Sequence, residues 1–352
     1  MKAIYVGLKH DTYGSTKRTS FEYNNFYLTL KNMPGVELSD HFFDQIPEMG
    51  KEKFNRDLLE KVKNEKPDLV FVFTYTDELE FETLKELKTL TTSIAWFADD
   101  YWRFWNYSRH YSPYYTWIVT TYSKAAEWYK QKGFDNILLS QWACDTNFYK
   151  PIEIEKDIDV SFVGQYKPPR GRVIRALQKA GIKVEAFGAG WPNGKISQED
   201  MFKVFSRSKI NLNLNVRPGL LSPRVISRIF FKKSINKVKF DFHFIENLQS
   251  YFHFPILHTH ARPFELAGCK AFVISGFSED IPIAYKENKE MVFYHSIGDL
   301  INKIDYYLKN DVERNRIAQS GYERTVKEHT YEKRFEDIFS KTGLKFKLVK
   351  SV

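Results

Sequence analysis

The chain opens on an apolar, partly β-branched run, KAIYVGL, which predicts a first strand over residues 2–8. Two periods then alternate along the sequence. Helical spacing from Ser20 through FEYNNFYLTLKNM stops at Pro34-Gly35, and a second helix is expected from Asp57 to Lys66. Pro67-Asp68 leads into LVFVFTY, whose unbroken apolar run predicts a strand buried on both faces. A charge-rich amphipathic helix follows from Glu78 to Leu90. Strands SIAWF (93–97) and WIVTT (117–121) come next, the second before a helix headed by Ser123. Strands alternating with helices in this way specify a parallel, doubly wound α/β domain.

Residues 143–157 (ACDTNFYKPIEIEKD) break this rhythm and read as a linker. The rhythm then restarts. Strand Asp159–Gly164 precedes a basic helix, Arg170–Ala180, and strand Lys183–Gly188. Ser197, with Asp200 three residues on, opens a further helix with a capping pair. INLNLNV (210–216) alternates strictly and predicts a strand. Arg262–Gly268 predicts a helix, Ala271–Ser275 a strand, and residues 299–308 and 311–327 two more helices. The expected fold class is therefore α/β, with two Rossmann-like doubly wound domains facing a cleft. The first spans 1–150 and the second 151–330, and ligands are expected at the carboxyl ends of the strands. Architecture alone fits a sugar transferase, a periplasmic-type binding protein or a dehydrogenase.

Composition narrows the classes. Hydrophobic residues make up 43% and charged residues 28%, as in a soluble globular protein. No apolar run approaches the roughly 20 residues that span a bilayer, and the N-terminus lacks a signal-peptide pattern. Two cysteines, Cys144 and Cys269, cannot build a disulfide framework. Cytoplasm is the expected location. The net charge of +9 favours an anionic partner. Aromatics at 16% suit sugar and nucleotide binding, or single-stranded nucleic acid.

The C-terminal half carries a resemblance. Arg262-Pro-Phe-Glu265-Leu-Ala-Gly268 is similar to the R-x-F-E element of GT-B glycosyltransferases, and most of all to the spore-maturation-protein-B-like group (glycosyl transferases group 1). Lys289-Glu290, Ile317-Ala318 with Gly321 and Arg324, and Glu328-His329-Thr330-Tyr331 with Arg334 resemble that group's later elements. Asp159–Gly164 resembles the opening strand of its second domain, so the likeness runs over roughly 159–334. It implies a GT-B glycosyltransferase that moves a hexosyl group from a nucleotide sugar, UDP- or GDP-linked, to a saccharide, lipid-linked or protein acceptor. No cofactor and no metal are expected. The nucleotide sugar would bind the second domain and the acceptor the first, with a C-terminal helix or tail over 331–352 crossing back to the first domain.

Candidate site residues follow from the charge that develops on a leaving diphosphate, which needs fixed cations or backbone N–H groups. Arg262, at a helix start, is the leading phosphate ligand and is assigned a catalytic role. Its alternative is a surface ion pair. Glu265 matches, by resemblance, the second glutamate of an E-x7-E pair that accepts ribose hydroxyls; Leu257 stands where the first would be. Gly164 and the loop to Arg170 and Arg172, with Lys167, are expected near the phosphates. Gly188 and Trp191 would shape the base pocket, or form a turn with a packing indole. Asn213 and Asn215 share a strand face and would bond donor hydroxyls or one another. In the first domain, Gly14-Ser15-Thr16-Lys17-Arg18 follows strand one, and Asp99 is the candidate general base, or else a turn or cap residue. His243, His253, His258 and His260 lack the companions of a zinc site, so no metal ligands are expected.

The segment from Arg217 to Lys239 holds seven basic residues, no acid and interleaved apolar ones. It is expected either to dock peripherally on an anionic membrane, at its inner face, or on a lipid-linked or polyanionic acceptor, or to be a helical excursion packed on its own domain. The alternative to an enzyme is a nucleic-acid-binding or scaffold protein that kept the fold, although no recognised nucleic-acid motif is present. An NAD-dependent enzyme is disfavoured because no G-x-G-x-x-G follows a strand.

Overall fold

The computed structural model describes residues 1–13 and 18–345. The chain divides into two compact units. One comprises Met1–Gln141, Leu220–Ile256 and Tyr331–Val352, the other Trp142–Gly219 and Leu257–Thr330.

In the first unit β1 (Lys2–Gly7), β2 (Glu37–Phe42), β3 (Leu69–Phe73), β4 (Thr92–Phe97), β5 (Trp117–Thr120) and β6 (Ile137–Leu139) form one parallel sheet in the order β2-β1-β3-β4-β5-β6. All five side chains of β3 are buried, as its unbroken apolar run requires. The edge strands β2 and β6 were not expected. ELSDHF buries only its last two residues, so its pairing rests on the backbone of β1 rather than on an apolar pattern. The helix expected from Glu78 begins instead at Phe81. Glu78 is buried ahead of it, where its carboxylate accepts the Thr76 N–H at 2.7 and 2.8 Å and the Tyr13 hydroxyl. The helix Tyr331–Thr342 closes this unit. Tyr331 packs 4.8 Å from Phe26 and Phe335 5.3 Å from Phe71.

The second unit begins nine residues before the expected boundary, at Trp142. The start of the supposed linker is therefore packed structure: Ala143, Cys144 and Tyr149 are buried, and the Cys144 N–H donates to the His329 carbonyl at 2.9 Å. Only 151–157 is continuously exposed. β7 (Ile158–Val163), β8 (Val184–Phe187) and β9 (Ser208–Asn213) follow, with the helix Pro168–Lys179 between the first two. Ser197 caps the helix Gln198–Arg207 by accepting the Asp200 N–H at 3.0 Å.

After β9 the chain leaves this unit. The basic segment is neither a simple helical excursion nor part of the second unit. It forms a helical turn at Pro223–Ile226, an antiparallel hairpin of β10 (Phe231–Ser234) and β11 (Lys237–Phe240), and the helix Phe244–His253, all belonging to the first unit. FKKS and KVKF alternate in the strand period, and Ile235 turns between them at φ 51°. The Ser234 hydroxyl donates to Asp77 at 2.9 Å and the Ile235 N–H to the Thr76 hydroxyl at 3.1 Å, which fixes the hairpin tip on the loop after β3.

The chain then returns for the helix Arg262–Gly268, β12 (Val273–Gly276) and β13 (Val292–Tyr294), completing a parallel sheet in the order β13-β12-β9-β7-β8. Helices Ile297–Lys309 and Asp311–Glu328 cover it. The tail elements that carry the family likeness are packing residues. Gly321 faces Glu290 so closely that a Cβ would stand 2.3 Å from the Glu290 carbonyl oxygen, and a His329 ring nitrogen lies 2.8 Å from the carbonyl oxygen of Ala284. Because backbone rather than a pliable side chain opposes it, Gly321→Ala should cost about 1–3 kcal/mol. Calorimetry should show a melting point several degrees lower; an unchanged one would contradict this packing.

Candidate functional site

In both sheets the first strand lies between the second and the third. Such an order opens a crevice at the carboxyl ends of the first and third strands. In the second unit these are β7 and β9.

Gly164 follows β7, and Arg170 stands in the first turn of the next helix. Arg170 Nη1 donates to Gln165 at 3.0 Å and Nε to the Leu214 carbonyl at 3.4 Å, so the guanidinium spans the exits of β7 and β9. Its Cζ lies 5.4 Å over the Phe162 ring. Arg262 opens the helix Arg262–Gly268 and sits 5.3 Å over Phe205. Its Nη1 is 2.7 Å from Glu265 Oε2, while Glu265 Oε1 accepts the Tyr149 hydroxyl at 2.8 Å. Glu265 is 4% exposed. Both of its oxygens are thus engaged, one of them by the arginine expected to hold phosphate.

His258 and His260 join this group, with ring centroids 4.0 Å apart. Burial pushes both imidazoles below their ordinary range, and the Lys167 charge adds to it. His260 falls to about 4, with Arg170 contributing, and His258 lower still, with His260 contributing. Both are neutral at pH 7. Burial, then the Arg262 charge, also depresses Arg170. The fixed positive charge here is that of Lys167, Arg170 and Arg262, and Glu265 is already paired. At the end of β13 the buried Tyr294 hydroxyl has no hydrogen-bond partner, and it is close enough to Arg170 for each to feel the other's charge. Among the described residues no group of three or more His, Cys, Asp or Glu side chains is arranged to hold a metal ion.

The remaining candidates divide. Gly188 follows β8 at φ 127°, and a Cβ there would stand 2.4 Å from the Gly164 carbonyl oxygen, so only glycine fits. Trp191 Nε1 donates to that same oxygen at 2.8 Å, and its ring meets Tyr166 edge-on at 4.9 Å. Gly164, Gly188 and Trp191 therefore lock the β7 and β8 exits together. β9 stops at Asn213, three residues short of the expected end. Asn213 Nδ2 donates to the Ser275 hydroxyl at 2.9 Å, and Asn215, beyond the strand, donates to the His258 carbonyl at 3.0 Å. These amides tie β9 to β12 and to the histidine loop rather than to one another. Arg172 is exposed on its helix.

Asp99 belongs to the first unit, where it precedes the one-turn helix Asp100–Arg103 and its carbonyl accepts the Arg103 N–H at 2.9 Å. Its neighbour Asp100 is fully buried, and burial pushes its carboxyl up to about 7 against hydrogen bonds from Ser108, Thr120 and Tyr129. Of the loop after β1, residues 14–17 lie outside the described residues; Arg18 pairs with Asp11 at 3.3 Å. Sequence reasoning missed Tyr149, which looked like linker, and Tyr294, which looked like strand. It weighed the histidines only as metal ligands.

Two parallel sheets of this order in separate units are compatible with the GT-B fold, and solved GT-B structures share it. A glycosyltransferase from Rickettsia africae ESF-5 superposes with a TM-score of 0.62 at 10% identity, over 99% of each chain. Anabaena Alr3699/HepE in complex with UDP superposes with a TM-score of 0.59 at 9% identity, over 97% of this chain and all of that one. A family model described as "Glycosyl transferase-like" matches residues 170–228 and 244–340, leaving out the hairpin. Spore protein CgeB of Bacillus subtilis (strain 168) is 21% identical over 217 residues, 61% of this chain; the chain spans 64% of that relative's length. The chain thus shares the GT-B fold of these structures, and part of it matches the glycosyl transferase-like family model.

The buried chain Tyr149–Glu265–Arg262 has a measurable consequence. Glu265→Gln should cost about 1–3 kcal/mol by leaving a partly buried guanidinium unpaired, and Tyr149→Phe about 1 kcal/mol. In urea denaturation the double variant should lose less than the sum, because the two share one contact. Strict additivity would contradict the contact.

Proposed function

We propose that this protein transfers a hexosyl group from a UDP- or GDP-sugar to a saccharide, lipid-linked or protein acceptor. The convergence of Lys167, Arg170 and Arg262 on the ends of β7 and β9, beside the unpartnered Tyr294 hydroxyl, carries this reading. Glycosyl transfer builds negative charge on the leaving diphosphate, and preorganised cations lower the barrier by meeting it. Arg170 and Arg262 supply that charge with side chains rather than a metal. The neutral imidazoles of His258 and His260 add donors that do not repel the arginines. Glu265 keeps lone pairs beyond the two in use and can accept ribose hydroxyls. Gly164, Gly188 and Trp191 shape the nucleotide pocket, with Asn213 and Asn215 holding its floor and Arg172 at its rim. Asp99 of the first unit serves as general base or orients the acceptor hydroxyl. That HepE has been solved with UDP supports a nucleotide at this kind of fold.

The test is binding and hydrolysis of UDP-glucose and GDP-mannose by the full chain. Arg170→Gln and Arg262→Gln should each weaken binding or turnover at least tenfold. Salt-sensitive RNA binding with no response to any nucleotide sugar would instead favour the scaffold reading. The imidazoles add a pH signature. A bound diphosphate raises the pKa of His260 from about 4, so binding takes up a proton at intermediate pH. UDP-glucose carries no ionisation of its own there. Its affinity should rise as pH falls from about 6 towards 4, and His260→Gln should flatten that slope. A flat profile in the unaltered protein would place His260 away from the phosphates.

The proposed location is the cytoplasm, with the basic segment 217–239 and the helix that follows it resting on an anionic bilayer. No helix among the described residues is long and apolar enough to cross a membrane. Leu221, Val238, Phe242, Ile245 and Phe252 are all more than 60% exposed. Lys237 and Lys239 flank them, while the carboxylates that follow are already paired, Asp241 with Lys232 and His243, Glu246 with Arg109. Exposed apolar side chains among unpaired lysines suit lipid headgroups over acyl chains. The protein should sediment with phosphatidylserine vesicles, and Phe242→Ser with Ile245→Ser should release it. Equal recovery with and without vesicles would refute this contact.

A further inference from the structure

Arg228 is held in the first unit in an unusual way. Its Cζ lies 4.4 Å from the Trp102 ring centroid and 4.3 Å from that of Phe254. Its Nη1 is buried and donates to nothing. A guanidinium carries five N–H donors and no acceptor, and a buried donor left unmade costs about 1–3 kcal/mol. Among the described residues no carboxylate forms an ion pair with it. A second guanidinium, that of Arg103, shares the Trp102 ring at 5.9 Å and stacks on Tyr107 at 3.9 Å, with Nη2 anchored on the Tyr75 carbonyl at 2.9 Å. Arg224 stands four residues before Arg228, exposed on the helical turn that delivers both.

The charges of Arg224 and Arg103 reach Arg228 and disfavour its protonated form, while Tyr101 and Asp99 favour it. Three arginines stand against Asp99 and, beside Arg103, the partly ionised Asp100, which leaves a surplus of positive charge in a site walled by aromatic rings. The site lies just past the carboxyl end of β4, one turn from Asp99, and the hairpin that follows Arg228 is tied to the exit of β3. Stacking holds the guanidinium planes in place while leaving N–H edges unpaired. Such an arrangement favours an anion with several oxygens, and a phosphate matches the surplus better than a single carboxylate.

We propose that the acceptor carries a phosphate group, and that Arg228, assisted by Arg103 and Arg224, receives it beside Asp99. This rests on the proposed glycosyl transfer for the word acceptor, but the phosphate site stands on the geometry of the first unit. A polyol phosphate and a lipid phosphate offer the same group, and the test separates them.

The experiment is calorimetric titration of the full chain, with UDP saturating the second unit, using glycerol 3-phosphate, farnesyl phosphate, glucuronate and maltose. At least one phosphate should bind, with glucuronate and maltose at least tenfold weaker. Preference for glycerol 3-phosphate marks a polyol source, and preference for farnesyl phosphate a lipid source. Arg228→Gln should weaken phosphate binding at least tenfold with UDP binding unchanged. The exposed Arg224→Gln, which threatens no packing, should weaken it threefold or more and serves if the first variant does not fold. No phosphate binding, equal glucuronate binding, or full affinity in both variants would overturn the proposal. A chain that binds phosphate through Arg228 but no nucleotide sugar would sink the glycosyltransferase reading and leave this site standing.

Discussion

Positive charge that the chain does not neutralise for itself sets the terms for the second unit. Arg170 and Arg262 are close enough for one to depress the other, Lys167 adds to the field, and burial strips charge from two adjacent histidines. Like charges held together out of water are costly, so the scaffold around them must be stiff. That stiffness is visible in the bonds. Arg170 is fixed to two carbonyls, the exits of β7 and β8 are locked through Trp191 and Gly188, and Asn215 holds the histidine loop by its backbone. Glu265 is spent on Arg262 and Tyr149, which orients the arginine.

The first unit repeats the device with different parts. Its own crevice lies at the ends of β1 and β3, and there the chain spends a hairpin and a helix that the family model only partly covers. The hairpin tip is bonded to the β3 exit, and the turn before it brings Arg228 onto Trp102. An insertion that exposes so many apolar side chains costs solubility. Its retention is intelligible if it serves both a surface outside the protein and a ligand within.

Much of this was legible in the sequence where pattern alone decides structure. The unbroken runs of β3 and β4, the capping pair at Ser197 and the helix Arg262–Gly268 fell where periodicity and end signals placed them. The edges did not, because β2 and β6 are paired by neighbours rather than by their own side chains. The basic segment misled because its lysines hide a strand period and because membership of a unit is a long-range property. Tyr149 sat in a stretch whose polar flanks signal a linker, and only the fold brings it to Glu265, 116 residues away. The arginines at the site were named from charge and helix position. Which of them face one another, and that Arg172 does not, is a matter of helix phase that the sequence leaves open.

The central claim is that the cations at the ends of β7 and β9 form a diphosphate site. A crystal structure of the full chain grown with UDP tests it most directly. The β-phosphate and α-phosphate oxygens should lie within hydrogen-bond distance of Arg170 and Arg262, with the Tyr294 hydroxyl acquiring a partner. Nucleotide bound elsewhere in the chain, or these side chains unchanged and without contact to it, would contradict the account.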